Sequence, residues 1–472
     1  MMVKDTYIFL ITCFHGGGAV NSSLFLSQTT MVRRKRQRKD NQNEQDRISH
    51  LSDCLLLHIL SFFNTKQAVQ TSILSKRWIN LWKILPTIKF SKNDFTYSSV
   101  FREFMSQFLS LRDNSTTTCA LRLYNSYSLG INLFQKTIKY VVSHNVKHLQ
   151  LDVLTIEYFP SCFFSCLTLT SLNLKAHCFK LFHLTQPHIF PNSLNLPSLT
   201  TLSLKYFAFC RGDDGYVEPF SAFNMLNTLI VRSCVVLDGQ NLRISSAKLG
   251  SLTIRLYPYK NFPGSTFGIE LYNAPSLHTF AFTGDGYIHK LYGSKSVLSS
   301  IKHVYIDVVC HWSLRRRSAS NILDLLVELA NIESLTITST TLMVLSKFPD
   351  LLKVMLPSLL NLKSLKIRTR PRHGLATILN GMVHLLLQNS PLAKVDYIKY
   401  KKGERCIQQL FKDTLFGLVF LFFNRSLFLF PTMFLVIVTF FFISSGYSNL
   451  LSVDKLLNPY LQKQMRVSMY AC

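Results

Sequence analysis

Residues 46–82 have the sequence DRISHLSDCLLLHILSFFNTKQAVQTSILSKRWINLW, and this stretch decides the fold of the N-terminal part of the 472-residue chain. Short polar residues that favour helix N-caps stand just ahead of apolar runs, which predicts three short helices. The second start has the spacing of a capping box. In chain order, the predicted starts and helices are Ser52-Asp53 before Cys54–Phe63, Asn64 with Gln67 before Ala68–Leu74, and Ser75 before a helix that carries Trp78 and Trp82.

The three predicted helices carry more apolar surface than so small a unit can bury within itself. A lone unit below about 40 residues normally needs a metal, a disulfide or a partner. This surplus predicts a module that docks onto another protein. An ordinary amphipathic helical hairpin stays open as the alternative interpretation. The apolar residues concerned are Leu51, Leu55, Ile59, Leu60, Leu74 and Trp78.

The same stretch resembles the F-box of the plant F-box/leucine-rich-repeat family, whose members often end in an FBD region. The resemblance implies that the six apolar residues bind the Skp-type adaptor of an SCF-type (cullin–RING) ubiquitin ligase, while the rest of the chain selects the protein to be ubiquitinated. Ser52 and Asn64 stand where the family usually has proline, so we expect weaker preorganisation rather than loss of docking. The matching residues are Asp46-Arg47-Ile48-Ser49, Leu51, Asp53, Leu55–Leu57, Ile59-Leu60-Ser61-Phe62, Thr65-Lys66, Ala68-Val69, Thr71-Ser72 and Leu74-Ser75-Lys76-Arg77-Trp78.

A second pattern, L-x-x-L-x-L with any large apolar residue at each L, recurs nine times downstream, with successive units starting 23 to 31 residues apart. This spacing is near the period of leucine-rich repeats, in which each unit buries its apolar edge against its neighbours. The sequence therefore predicts an α/β fold: an F-box of three helices at 46–90, followed at 91–400 by a curved leucine-rich-repeat solenoid with a parallel strand stack. The units begin at Val146, Leu169, Leu199, Leu226, Leu249, Leu277, Ile301, Ile332 and Leu362, a degenerate unit lies at Leu121/Leu123, and helices are predicted at 132–142 and 321–329.

The concave face of such a solenoid carries the residues beside and between the last two apolar positions of each unit. The first of these outward positions is mostly Ser or Thr. The last is a cation in four consecutive units, at Lys175, Lys205, Arg232 and Arg255. These four predict a substrate-binding strip for an acidic or phosphorylated protein, because carboxylate and phosphate oxygens accept charge-assisted hydrogen bonds. Ordinary screening of surface charge is the alternative interpretation.

The composition bounds the class of protein and its compartment. A hydrophobic content of 48% excludes a mostly disordered chain. Eleven scattered cysteines indicate a reducing compartment without a disulfide framework. The net charge is +27, of which the run at 33–39 supplies six, and that run is typical of a nuclear-localisation signal or of a solvated tail. We therefore expect a nuclear or cytoplasmic location. A nucleic-acid-binding protein is an alternative, although no nucleic-acid-binding module accompanies the charge.

Both ends of the chain differ from the repeats. Residues 1–45 are expected to form a disordered basic segment, and translation is expected to begin at Met31. Residues 401–472 form an atypical tail in which the apolar segment 414–443 replaces the further strand and helix of an FBD region. Three interpretations of that segment stay open: a gene-model artefact from intron read-through, a transmembrane anchor formed by 427–443, and an atypical core helix.

No catalytic motif is present in the sequence. Phosphate-loop, G-x-S-x-G, H-E-x-x-H and kinase signatures are all missing, and we expect a non-catalytic specificity subunit without a cofactor. Cys162, Cys166, His177 and Cys178 are the nearest approach to a metal cluster, but their spacing matches no common zinc pattern. We expect no metal site there.

Overall fold

The computed structural model describes residues 51–113, 116–124, 129–153, 159–176, 188–191, 194–212, 215–237, 241–256, 267–284, 291–308, 316–369 and 376–399. The predictions for residues 1–45 and 401–472, including the apolar segment 414–443, lie outside the described residues. His177 and Cys178 also lie outside them. Among the residues that are described, no helix has both the length and the apolar character needed to cross a membrane.

The first two predicted helices of the F-box are present, and 3-10 turns replace the end of the second helix and the whole of the third. Helix α1 spans Asp53–Ser61 and α2 spans Thr65–Gln70. A 3-10 turn at Thr71–Ile73 then takes the place of the predicted end of the second helix. The hydroxyls of Thr71 and Ser72 donate to backbone carbonyls three residues back, which offers those carbonyls an alternative to α-helical bonding. The third predicted helix is two 3-10 turns, Lys76–Ile79 and Leu81–Ile84.

The side chains at the predicted N-cap positions differ in whether they form a capping hydrogen bond. Asn64 and Gln67 form the expected capping box: the Gln67 backbone N–H donates to Asn64 Oδ1 at 2.7 Å, and the Asn64 N–H donates to Gln67 Oε1 at 3.1 Å. Ser52 and Ser75 stand at N-cap positions, but neither side chain makes a capping hydrogen bond. Only the second helix start is therefore fixed by its own cap.

A sheet of twelve parallel strands forms the body of the molecule and confirms the predicted solenoid. Its strands contain the last two apolar positions of all nine predicted repeat units and the degenerate unit at Leu121/Leu123. The sequence pattern missed the first and last strands. In sheet order they are β1 (Thr87–Ser91), β2 (Ala120–Tyr124), β3 (His148–Val153), β4 (Ser171–Ala176), β6 (Thr201–Lys205), β8 (Thr228–Arg232), β11 (Ser251–Leu256), β13 (Thr279–Gly284), β15 (His303–Val308), β16 (Ser334–Thr338), β17 (Ser364–Thr369) and β18 (Lys394–Lys399).

The last two apolar residues of each predicted unit point into the core, as Leu202 and Leu204 of β6 show by their complete burial. The outward residues between and beside them are mostly half-buried, so each strand alternates between the two faces. We call the side of the twelve-stranded sheet that carries these outward residues the strand face.

Behind the core, the chain returns through helices near both ends of the sheet and through short strands in the middle. Helices α4 and α6 confirm the helices predicted at 132–142 and 321–329. The helices are α3 (Ser98–Leu111), α4 (Ile131–Ser143), α5 (Lys295–Ser300), α6 (Arg316–Glu328), α7 (Ser339–Ser346), α8 (Pro349–Met355) and α9 (Ala376–Gln388). Two three-stranded parallel sheets complete the layer, one of β5 (His188–Ile189), β7 (Phe207–Phe209) and β9 (Val235–Val236), the other of β10 (Asn241–Ser245), β12 (Gly268–Asn273) and β14 (Leu291–Gly293).

The F-box covers the first edge of the main sheet. The backbone N–H of Lys89 in β1 donates to Thr65 Oγ1 at 2.8 Å, and Lys89 Nζ donates to the carbonyl of Ser61 at 2.7 Å. Aromatic side chains also pack between the F-box and α3, where the ring centroids of Trp82 and Phe108 are 5.1 Å apart. An open strand edge would invite pairing with another chain, so the F-box also serves as the N-terminal cap of the solenoid.

Candidate protein-docking surfaces

The six apolar residues predicted to contact the adaptor divide into exposed and buried groups. Leu55 is 51% exposed and Leu74 is 63% exposed, whereas Leu51 and Ile59 are half-buried. Leu60 and Trp78 are buried in the continuous core. Their assignment to the contact surface is therefore corrected, because both side chains are packed into the core instead of facing outward. Leu60 and Trp78 support the module from inside.

Three exposed side chains of the F-box were missed by the sequence analysis as contact residues. Phe62 and Ile73 are exposed by more than two thirds, and Phe63 is also exposed. We call Leu55, Phe62, Phe63, Ile73 and Leu74 the F-box apolar patch. Helical periodicity could have found Phe62, because Leu55, Ile59 and Phe62 follow the i, i+4, i+7 spacing that puts residues on one face of α1.

An ion pair fixes the start of α1 against the turn that carries Trp78. Arg77 Nη2 lies 2.7 Å from Asp53 Oδ1, Arg77 Nε lies 2.9 Å from the same oxygen, and Arg77 Nη2 also donates to the carbonyl of Leu51. The fork of the guanidinium therefore clamps the first turn of the helix that presents Leu55 and Phe62.

On the strand face, the four predicted cations lie on adjacent strands in one register. Lys175 pairs with Lys205, Lys205 with Arg232, and Arg232 with Arg255. Neighbouring strands are about 4.8 Å apart, so the four form a line about 14 Å long. We call this line the basic row. The alignment that the repeat pattern predicted is confirmed, and the role in substrate binding stays a prediction.

The basic row makes contacts within the chain itself. Lys175 Nζ lies 2.8 Å from Asp152 Oδ2, across the strand pair β3–β4, and the Asp152 side chain is only 10% exposed. Lys205 Nζ lies 4.6 Å from the centroid of the Tyr206 ring. Arg255 is exposed, and Lys205 and Arg232 are half-buried. The row thus begins with an internal ion pair between Lys175 and Asp152.

Part of the chain is similar to known proteins. A profile of the F-box domain matches residues 48–90. An F-box/LRR-repeat protein of Arabidopsis thaliana is 30% identical over 255 residues, which cover 52% of this chain and 78% of that relative.

The chain belongs to the plant F-box/leucine-rich-repeat family.

Two further Arabidopsis thaliana relatives match over smaller shares of their own length. F-box/LRR-repeat protein 13 is 31% identical over 226 residues, which cover 46% of this chain and 48% of that relative. An F-box/FBD/LRR-repeat protein is 29% identical over 323 residues, which cover 65% of this chain and 63% of that relative. The chain therefore spans about half to two thirds of the length of these two relatives.

Beyond the basic row, the strand face of this F-box/LRR protein carries another acid that is held internally. Asp307, in the same register position on β15, is buried and accepts a hydrogen bond from Thr338 Oγ1 at 3.0 Å. Thr338 is also the N-cap of α7, where its Oγ1 accepts from the Thr341 N–H. Asp307 thus belongs to the structural network at the start of α7.

The described part of the chain contains no group of three or more His, Cys, Asp or Glu side chains that could hold a metal ion. Of the thiols, Cys54 and Cys119 are exposed, and Cys166 and Cys234 are buried. Burial raises the pKa of the Cys234 thiol to about 12. A thiol that stays protonated at neutral pH is a poor nucleophile, so Cys234 is a structural residue.

Proposed function

We propose that this chain is the substrate-recognition subunit of an SCF-type cullin–RING ubiquitin ligase. The observation that supports it most is the F-box apolar patch. Leu55, Phe62, Ile73 and Leu74 stay largely exposed in a module most of whose other apolar residues belong to the continuous core. Exposed apolar residues clustered in one small module are typical of a protein-binding site.

In this proposal, the F-box docks onto the Skp-type adaptor and the repeats hold the protein to be ubiquitinated. The chain itself is non-catalytic and supplies specificity, while the chemistry of ubiquitin transfer belongs to other subunits. The joint between α2 and β1 fixes the F-box to the repeats, which would hold the captured protein at a set position relative to the ligase. We propose a nuclear or cytoplasmic location, on the basis of the basic run at 33–39.

Co-purification with a Skp-type adaptor tests the proposal. The full chain is the right bait, because Trp82 and other F-box residues bury their side chains against the solenoid. We expect the full chain and the adaptor to elute together in size-exclusion chromatography, and the N-terminal domain of a cullin to join that complex only when the adaptor is present. Separate elution of a correctly folded chain and the adaptor would refute the proposal.

A further inference from the structure

The last strand of the main sheet, β18, exposes apolar positions that the other repeats bury. By strand register, Val395 and Tyr397 stand where the preceding repeat has Leu365 and Ile367, which are completely buried. In the last repeat, Tyr397 is 56% exposed and Val395 is half-buried, and Leu392, three residues before Val395, is 64% exposed. Within the described part of the chain, the apolar core is therefore uncovered beyond β18.

The outer edge of β18 also offers backbone hydrogen-bonding groups. Among the described strands, β18 pairs with β17 alone, and the N–H of Lys394 points toward that neighbour, where it donates to the carbonyl of Lys363 at 2.9 Å. Successive residues of a strand direct their N–H and C=O groups to opposite sides, so those of Val395 and Tyr397 point away from β17. A row of outward N–H and C=O groups is a template for another strand.

The charges on β18 favour a particular strand as the partner. Lys394 and Asp396 are both exposed and both belong to the strand face, with Val395 between them. When two copies of β18 pair antiparallel about a two-fold axis through Val395, Lys394 of each copy lies directly opposite Asp396 of the other. Such a pair is not bonded through its backbone, and its side chains approach more closely than those of a bonded pair. Two ion pairs therefore form, one on each side of the axis.

The neighbouring symmetric registers fit less well. An axis through Asp396 sets the two Asp396 carboxylates against each other, and an axis through Tyr397 leaves Asp396 opposite Ile398. The register centred on Val395 instead sets the large side chain of Tyr397 opposite the small one of Ala393. It also lets the outward N–H groups of Val395 and Tyr397 donate to carbonyls of the other copy. The sequence of β18 is therefore complementary to itself in this register.

We propose that β18 docks onto a second copy of this chain, so that two copies pair antiparallel across it and join their sheets edge to edge. Val395 and Tyr397 of each copy are then covered by the other. The F-box covers the opposite edge of the sheet, at β1, so both F-box apolar patches stay accessible in the dimer. The contact is one pair of strands, smaller than the interface of an obligate dimer, and the association is therefore reversible.

Analytical ultracentrifugation of the full chain tests the proposal. We expect a monomer–dimer equilibrium in the micromolar range, and Asp396→Lys, which sets two cations opposite each other, should weaken dimerisation at least about tenfold. The double variant Lys394→Asp/Asp396→Lys restores opposite charges in both pairs and should return the dissociation constant to within about threefold of the native value. Lys366 on β17 neighbours position 396 in both variants, so their difference reports the contact between copies. A full chain that stays monomeric, whatever else covers β18, or a double variant no tighter than Asp396→Lys, would overturn the proposal.

Two further variants separate strand pairing from net charge. Glu328→Lys makes the same charge reversal at an exposed position of α6 and should leave the dissociation constant within about twofold of the native value. Val395→Pro removes the outward N–H at the axis and should weaken dimerisation, because proline is accepted on an edge strand but cannot donate. Circular dichroism checks that each variant keeps the native fold. Equal weakening by Asp396→Lys and Glu328→Lys, or unchanged dimerisation of a folded Val395→Pro chain, would contradict pairing through β18.

Discussion

The guanidinium of Arg112 donates a hydrogen bond from Nη2 to the backbone carbonyl of Leu85 at 2.7 Å, tying the end of α3 to the segment that leaves the F-box. The same side chain donates to Tyr140 Oη at 2.8 Å and to the carbonyl of Trp82 at 3.3 Å. Burial lowers the pKa of Arg112, and its hydrogen-bond partners compensate in part for that loss of hydration. Arg112 is therefore a buried polar link between the F-box and the first repeats.

Replacing this link should destabilise the whole unit. We expect Arg112→Met to lower the free energy of unfolding by about 3 kcal/mol, because two buried carbonyls lose their donor while the volume is nearly retained. Tyr140→Phe removes one partner and should lower it by about 1 kcal/mol. Urea unfolding followed by circular dichroism measures both changes.

Arg102→Met is the control for the loss of an arginine from the same helix. Arg102 is exposed on α3, so its replacement should change the free energy of unfolding by less than about 0.5 kcal/mol. If Arg112→Met and Arg102→Met had equal effects, Arg112 would not link the two parts.

The F-box apolar patch should dominate adaptor binding. We expect Phe62→Ala and Leu74→Ala each to weaken the affinity for the Skp-type adaptor by about 2 kcal/mol, since exposed anchors that become buried on binding contribute on this scale. Isothermal titration calorimetry with the full chain measures the change. Both side chains are largely exposed before binding, so the thermal midpoint of the free chain should change little.

Two other substitutions test whether this effect is specific. Val354→Ala truncates an exposed apolar side chain on α8, and adaptor affinity should stay unchanged. Trp78→Ala should lower the free energy of unfolding, because Trp78 is a core residue. The patch would be the wrong surface if Val354→Ala weakened binding as much as Leu74→Ala.

The sequence predicted the repeats better than it predicted the docking module, for a physical reason. Each L-x-x-L-x-L unit is local, and its alternation alone settles which residues face the core, as Leu202 and Leu204 show. The burial of Trp78 depends instead on how the short turns of the F-box pack against one another, which no local pattern contains. The short strands behind the core, such as β7 and β9, have only three and two residues, too few for a period to appear.

The register of the basic row could be predicted from the repeat spacing, and so could its ion pair. Repeat spacing aligned Lys175 with Lys205, and the structure agrees. Asp152 lies at the same register position as Lys175 on the neighbouring strand β3. An ion pair between these opposite charges therefore follows from the alignment of the repeats. The prediction from the sequence nevertheless took the four cations as equivalent and missed the pair.

The two positions where the family usually has proline should respond differently to its introduction. Ser52 has φ −64°, within the range of proline, and its side chain makes no capping bond. Ser52→Pro should therefore raise the free energy of unfolding by about 0.5 kcal/mol, by restricting the unfolded chain. Asn64→Pro would remove both bonds of the capping box and should lower it by about 1 kcal/mol or more.

Differential scanning calorimetry of the two proline variants measures this contrast. Ser52→Ala serves as the control, because it removes a side chain that makes no capping bond and should be nearly neutral. A clear stabilisation by Asn64→Pro would show that the capping box adds little to the start of α2.

The thiol of Cys234 should make the fold sensitive to alkali. Its pKa is raised by burial from 9.0 to about 12, so the folded state holds the neutral thiol while the unfolded state ionises from about pH 9. The stability from this group is therefore complete below pH 9 and is lost as the pH rises toward 12, by about 1.4 kcal/mol per pH unit. We expect the free energy of unfolding of Cys234→Ala, measured by urea titration, to fall less steeply between pH 9 and pH 11 than that of the native chain. Cys54→Ala removes an exposed thiol and should follow the native slope, and parallel slopes for all three proteins would contradict the prediction.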